Sequence, residues 1–101
     1  MYELKIYIGS PNDTGRFTKE YGTKIVSWLQ KNFSQGFTIL RGIGGWRDEI
    51  EDAAVITMIS AGAYDVEVLE DSLKELLATL DQISILYVIT PVRGKEIRRR
   101  I

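Results

Sequence analysis

The chain has 101 residues, 45% hydrophobic and 27% charged, with a formal net charge of −1. Those values fit one globular domain and indicate neither a disordered nor a fibrous chain. With no cysteine and no histidine, disulfides, thiol nucleophiles, histidine-based triads and the usual zinc ligand sets are excluded too.

Tyr2, Leu4, Ile6 and Ile8 alternate with Glu3, Lys5 and Tyr7, the period of a strand with one buried face. Neither a basic region nor an apolar leader precedes it, and no apolar run approaches the roughly 18 residues of a membrane helix. A cytoplasmic location is therefore expected. Residues 9–15 (GSPNDTG) are turn formers and read as a loop. Phe17, Tyr21, Ile25, Trp28 and Leu29 form one apolar stripe, which predicts a helix from about Thr18, its N-cap, to Phe33. Gly22 within it costs about 1 kcal/mol relative to alanine and suggests a close approach to the sheet.

Phe37 to Leu40 predicts a short strand, and Gly42, Gly44 and Gly45 a break or bend before Trp46. A longer strand is expected from Ile50 to Ser60, apolar on one face through Ala53, Val55 and Ile59 and on the other through Ala54, Ile56 and Met58. Asp65 caps a second helix whose face is marked by Leu69, Leu73, Leu76, Leu77 and Leu80. Glu67, Glu70 and Asp71 load its first turns with negative charge, where the helix dipole favours it. A last strand is expected over Ile83 to Val92, again apolar on both sides.

This β-α-β-β-α-β order predicts an α+β, ferredoxin-like sandwich with an antiparallel sheet in the order 4-1-3-2, spanning residues 1–92. Two helices bury one face of such a sheet, yet the third and fourth strands are apolar on both. A long apolar edge strand is a liability unless something covers it, so self-association is expected. A small domain also gains stability cheaply that way. Residues 93–101 form a basic C-terminal tail of net +4 on a body of net −5. Pairing with an acidic neighbouring subunit, or plain solvation, is favoured over nucleic-acid binding, which calls for a basic domain face.

The segment Phe37 to Ser60 (FTILRGIGGWRDEIEDAAVITMIS) resembles the second and third strands of CutA and PII-like proteins. Trp46, Glu49, Glu51 and Asp52 stand where CutA proteins have an aromatic-Trp bend followed by acidic residues. Leu4 to Ser10 and Ile39 to Gly45 are similar to uncharacterised PII-like proteins. Gly36 to Asp48 is similar to a further uncharacterised family with a Gly-aromatic-Thr strand and a Gly-x-Trp-Arg-Asp segment. The resemblance implies a trimeric ferredoxin-like protein whose sheets meet in a central core. Two features are not carried over. The connection Gly42 to Glu49 is too short for the long loop of PII signalling proteins, and the chain has no cysteine or histidine for the metal sites proposed in CutA proteins.

Arg41, Gly44, Gly45, Trp46 and Arg47 are the candidate ligand-binding residues. Trp46 could stack on a ring while Arg47 clamps an anion, or Trp46 could anchor an interface. The glycines could offer amides to a phosphate, although a strand-to-strand connection favours a β-bulge or bend. Asp48, Glu49, Glu51 and Asp52 could hold a hard cation, or form a solvated turn or ion pairs; no metal or cofactor is expected. Asp13 and Thr14 could rim a cleft, and turn chemistry explains them as well. The expected protein is non-enzymatic and homo-oligomeric, a trimer before a dimer, binding a small anionic ligand such as a nucleotide at the subunit cleft. The alternatives are a dimeric α+β-barrel enzyme using carboxylates and tyrosine, and a structural or phage scaffold protein.

Overall fold

A computed structural model describes residues 1–11 and 13–100, and at Trp46 only its place in a strand. The elements are β1 (Tyr2–Gly9), α1 (Lys19–Asn32), β2 (Thr38–Trp46), β3 (Glu49–Ser60), α2 (Val66–Leu80) and β4 (Leu86–Pro91). The four strands form one sheet in the order β2-β3-β1-β4, with every neighbouring pair antiparallel. This is the ferredoxin-like arrangement read from the sequence.

Both helices start where their capping residues allow. Thr18 Oγ1 accepts from the Tyr21 N–H at 3.1 Å, and Asp65 Oδ1 from the Val68 N–H at 3.2 Å, satisfying donors that a first helical turn leaves free. At its end α2 turns through Asp81, which is left-handed at φ +54°.

The core lies between the helices and one face of the sheet. Leu4, Ile6 and Ile8 of β1 stand opposite Met58, Ile56 and Ala54 of β3, and all six are buried. Tyr21, Ile25, Trp28 and Leu29 of α1 and Leu69, Leu73, Leu76 and Leu80 of α2 close over them. Each fully buried leucine or isoleucine contributes about 1.5–3 kcal/mol. Between the helices, Trp28 Nε1 donates to the Ser72 carbonyl at 2.9 Å.

The opposite sheet face is uncovered by either helix. Across it, Leu40 of β2, Val55 of β3, Tyr7 of β1 and Leu86 of β4 stand in one row of the register, with Thr57, Lys5 and Val88 in the next. Leu40 and Leu86 are 56% and 59% exposed.

Three local expectations are corrected. Gly42 to Gly45 neither bend nor bulge: the β2–β3 register runs without interruption from Thr38↔Thr57 to Trp46↔Glu49, because the ladder extends through backbone groups that need no side chain. The connection is then only Arg47 and Asp48. β4 is shorter than expected, beginning at Leu86; just before it, Gln82 is occupied elsewhere, its backbone N–H donating to the Leu77 carbonyl and its side chain to the Ser10 carbonyl. Gly22 makes no close approach to the sheet, since a Cβ there would meet nothing within 4 Å.

Candidate functional site

Two regions collect chemistry-bearing residues, and both follow from β3 being longer than β1. The β1–β3 pairing ends at Gly9↔Ala53, so Glu49 to Asp52 continue with β2 alone as a two-stranded arm.

At the root of that arm the loop after β1 folds back onto it. Ser10, 1% exposed, donates through Oγ to Glu51 Oε2 at 3.1 Å. Asp52 holds the same loop from the other face of the strand. Its Oδ2 accepts from the Phe17 N–H at 2.9 Å, and its own N–H donates to the Gly15 carbonyl at 2.8 Å. Tyr21 Oη donates to the Gly9 carbonyl at 2.6 Å, and Gln82 Nε2 to the Ser10 carbonyl at 2.9 Å. Gly9 lies close to this carboxylate: a Cβ there would be 3.1 Å from Glu51 Oε1, so the carboxylate would have to give by a few tenths of an ångström. Burial raises the Tyr21 pKa; the Gln82 side chain works against that rise and the Glu51 carboxylate adds to it. Chemically, the cluster places a carboxylate, a phenol and a hydroxyl at one end of β1. Beside it, Asp13 and Thr14 line a cavity of about 460 Å³ together with Pro11, Thr18 and Tyr21.

Along the arm, the sequence-predicted site residues are divided. Gly44, Gly45 and Trp46 stand opposite Glu51, Ile50 and Glu49, and Arg47 follows in the turn in a left-handed conformation, φ +56°. A Cβ at Gly44 would lie 3.2 Å from that of Ala53. Arg41 stands apart. At about 3.3 Å per residue it is about 20 Å from Arg47 along the strand, opposite Ala54, with its guanidinium 4.5 Å from the centre of the Phe17 ring. Glu51 and Asp52 are engaged with the first loop as described, a use that their run of acidic neighbours did not signal. Among the described residues no group of three or more His, Cys, Asp or Glu is placed to hold a metal ion. None of the described helices is long and apolar enough to cross a membrane.

No family model and no curated protein matches the sequence. Solved structures do. A DUF3240 family protein from Shewanella baltica superposes with a TM-score of 0.62 at 15% identity, over 97% of each chain. A phage SAM lyase in its apo state superposes with a TM-score of 0.61 at 18% identity, over 88% of this chain and 78% of that one. A PII-like protein from Thiomonas intermedia, solved with ADP, AMP and bicarbonate, gives 0.52 at 17% identity over 95% and 94%. CutA proteins match as well. The chain has the CutA/PII-like ferredoxin fold. At these identities the likeness concerns the fold alone, and it agrees with the resemblance carried by Phe37 to Ser60.

Proposed function

We propose that this chain is a non-enzymatic, homo-oligomeric ligand-binding protein of the PII/CutA-like kind, a trimer before a dimer. A small anionic ligand, with a nucleotide as the leading class, binds in the cleft between subunits beside the β2–β3 arm. One observation carries the reading: the uncovered sheet face, where Leu40, Val55, Tyr7 and Leu86 present an apolar row to solvent. Monomeric proteins rarely leave such a face open. The arm offers a second exposed apolar surface, because Ile43 and Ile50 near its tip are more than three-quarters exposed and lie together on its helix-side face. The second copy that covers the sheet also brings a partner surface to Gly44, Gly45, Trp46 and Arg47. The PII-like neighbour, solved with ADP and AMP bound, makes a nucleotide the first ligand to try.

A second reading is an enzyme working through carboxylate and tyrosine acid–base chemistry. It is favoured by the convergence of Tyr21, Glu51 and Ser10 at the end of β1, and by the likeness to a phage SAM lyase solved with S-methyl-5′-thioadenosine. A native mass spectrum tests the first reading, because it records subunit number and any retained small molecule together. A species of 11.5 kDa at micromolar concentration would remove its basis. Incubation with S-adenosylmethionine tests the second, and formation of S-methyl-5′-thioadenosine would place the chain among enzymes.

A further inference from the structure

A groove of about 550 Å³ runs between α1 and the edge strand β2, on the helix side of the sheet. Its size is within the usual range for small-molecule sites, about 300–1,000 Å³. Ile25, Val26, Ile39 and Ala54 make it apolar. The α1 wall is Lys19, Gly22, Thr23, Val26, Ser27 and Gln30, whose spacing of three and four residues is a single stripe of the helix. Phe17 and Arg41 also line it.

Two independent features of this groove are not accounted for by packing or by ion pairing among the described residues. The first is Gly22. A glycine inside a helix costs about 1 kcal/mol relative to alanine. Yet a Cβ there would meet nothing within 4 Å, so neither packing nor sheet contact requires it. The second is charge. Arg41 and Lys19 both border the groove, and among the described residues neither joins a salt bridge, although the chain has 14 acidic residues against 13 basic ones. The Arg41 guanidinium is held instead over the Phe17 ring at 4.5 Å, which leaves its N–H edges available to an anion.

We propose that the α1–β2 groove is a binding site for a small amphipathic anion: an apolar body lying over Ile25, Ile39 and Ala54 against the open backbone of Gly22, and a carboxylate, sulfonate or phosphate held by Arg41 and Lys19. The site lies within one subunit. It stands whether or not the chain assembles, and apart from the arm tip.

The test uses 1-anilinonaphthalene-8-sulfonate as the probe, followed by fluorescence titration and by amide chemical shifts. The expected shifts fall on Gly22, Thr23, Ser27, Ile39 and Arg41. Gly22→Leu excludes the apolar body by filling the groove and Arg41→Gln removes one charge-assisted contact; each lowers affinity by about tenfold or more. Because Arg41 is an exposed edge-strand residue, Arg41→Gln provides the answer should Gly22→Leu fail to fold. Leu86→Lys, on the uncovered sheet face, leaves the affinity unchanged even where it dissociates the assembly, which separates this site from the subunit contact. Competition by decanoate and by phenyl phosphate sorts a chain-like from an aromatic body. Undiminished affinity in Arg41→Gln, or shifts confined to the uncovered sheet face, would overturn the proposal. So would loss of assembly in a folded Gly22→Leu protein, since a second copy would then be the occupant.

Discussion

Tyr21 shows how one side chain serves several elements at once. It sits in the first turns of α1, buries its ring in the core, and ends β1 by donating from Oη to the Gly9 carbonyl. Tyr21→Phe keeps the ring and leaves that carbonyl without its donor, so a loss of about 0.5–1.5 kcal/mol is expected in urea unfolding at neutral pH. The pH dependence has a definite sign. Burial raises the Tyr21 pKa in the folded state, so the fold favours the neutral phenol. That contribution is fully present below the unfolded value near 10 and is lost as pH rises through the higher folded value. Stability therefore falls in the parent protein as pH rises beyond about 10. The fall is shallower in Tyr21→Phe, with Tyr64 and Tyr87, also raised, supplying the remainder. Equal slopes in the two proteins would contradict this account. Asp52 works in the same region: its carboxylate takes the Phe17 N–H while its backbone takes the Gly15 carbonyl, which makes β3 the template for the first loop.

At the scale of elements, caps and glycines decide where structure starts and how far it extends. Asp65→Ala removes the acceptor for the Val68 N–H and is expected to cost about 1 kcal/mol, read as a lowered urea midpoint with unchanged slope. Gly22→Ala should have the opposite sign. Its Cβ enters open space, so the helix gains about 0.5–1 kcal/mol, measured in the same way. A loss there would mean that the glycine serves the fold. The arm follows a different rule. Glycines at 42, 44 and 45 look like a break in a one-dimensional reading, but opposite an already formed β3 they need only backbone groups to continue the ladder.

For the whole molecule, the decisive feature is that one sheet is covered on one face by two helices, while its third and fourth strands are apolar on both. Replacing Val55 or Leu86 by lysine puts a charge in the centre or at the edge of the uncovered row. Either variant should yield the 11.5 kDa monomer in native mass spectrometry, with the helical signal retained. Unchanged subunit number in both would show that assembly uses another surface. The basic tail is expected to act weakly. Residues 93–96 line a cavity with Met1, Glu3 and Ile59, and the charges are exposed. Such pairs are worth about 0–1 kcal/mol each and are screened over about 10 Å in 0.1 M salt. Deleting residues 95–101 should leave the fold intact and weaken assembly modestly, less so at high salt. Retardation of a nonspecific DNA duplex by the full chain, lost on deletion and falling steeply with salt, would make nucleic acid the partner instead.

Much of this was legible without coordinates, and for a physical reason. The alternation in Tyr2 to Ile8, the stripe from Phe17 to Leu29, the Thr18 and Asp65 caps and the two-sided apolar strands are local patterns, set by the periods of helix and strand. Their order left the split βαβ sheet as the natural way to bury them. What only the tertiary structure decided depends on partners distant in the chain. Register against β3 carried β2 straight through its glycines. Folding of the first loop onto the arm turned Glu51 and Asp52 into tethers for Ser10 and Phe17. Strand parity placed Arg41 on the helix side over Phe17, and the length of the arm separates it from Arg47. Nothing in residues 37–52 states which groups will face them from residues 10–17, because that depends on how far β1 and β3 overlap, a property of the assembled sheet.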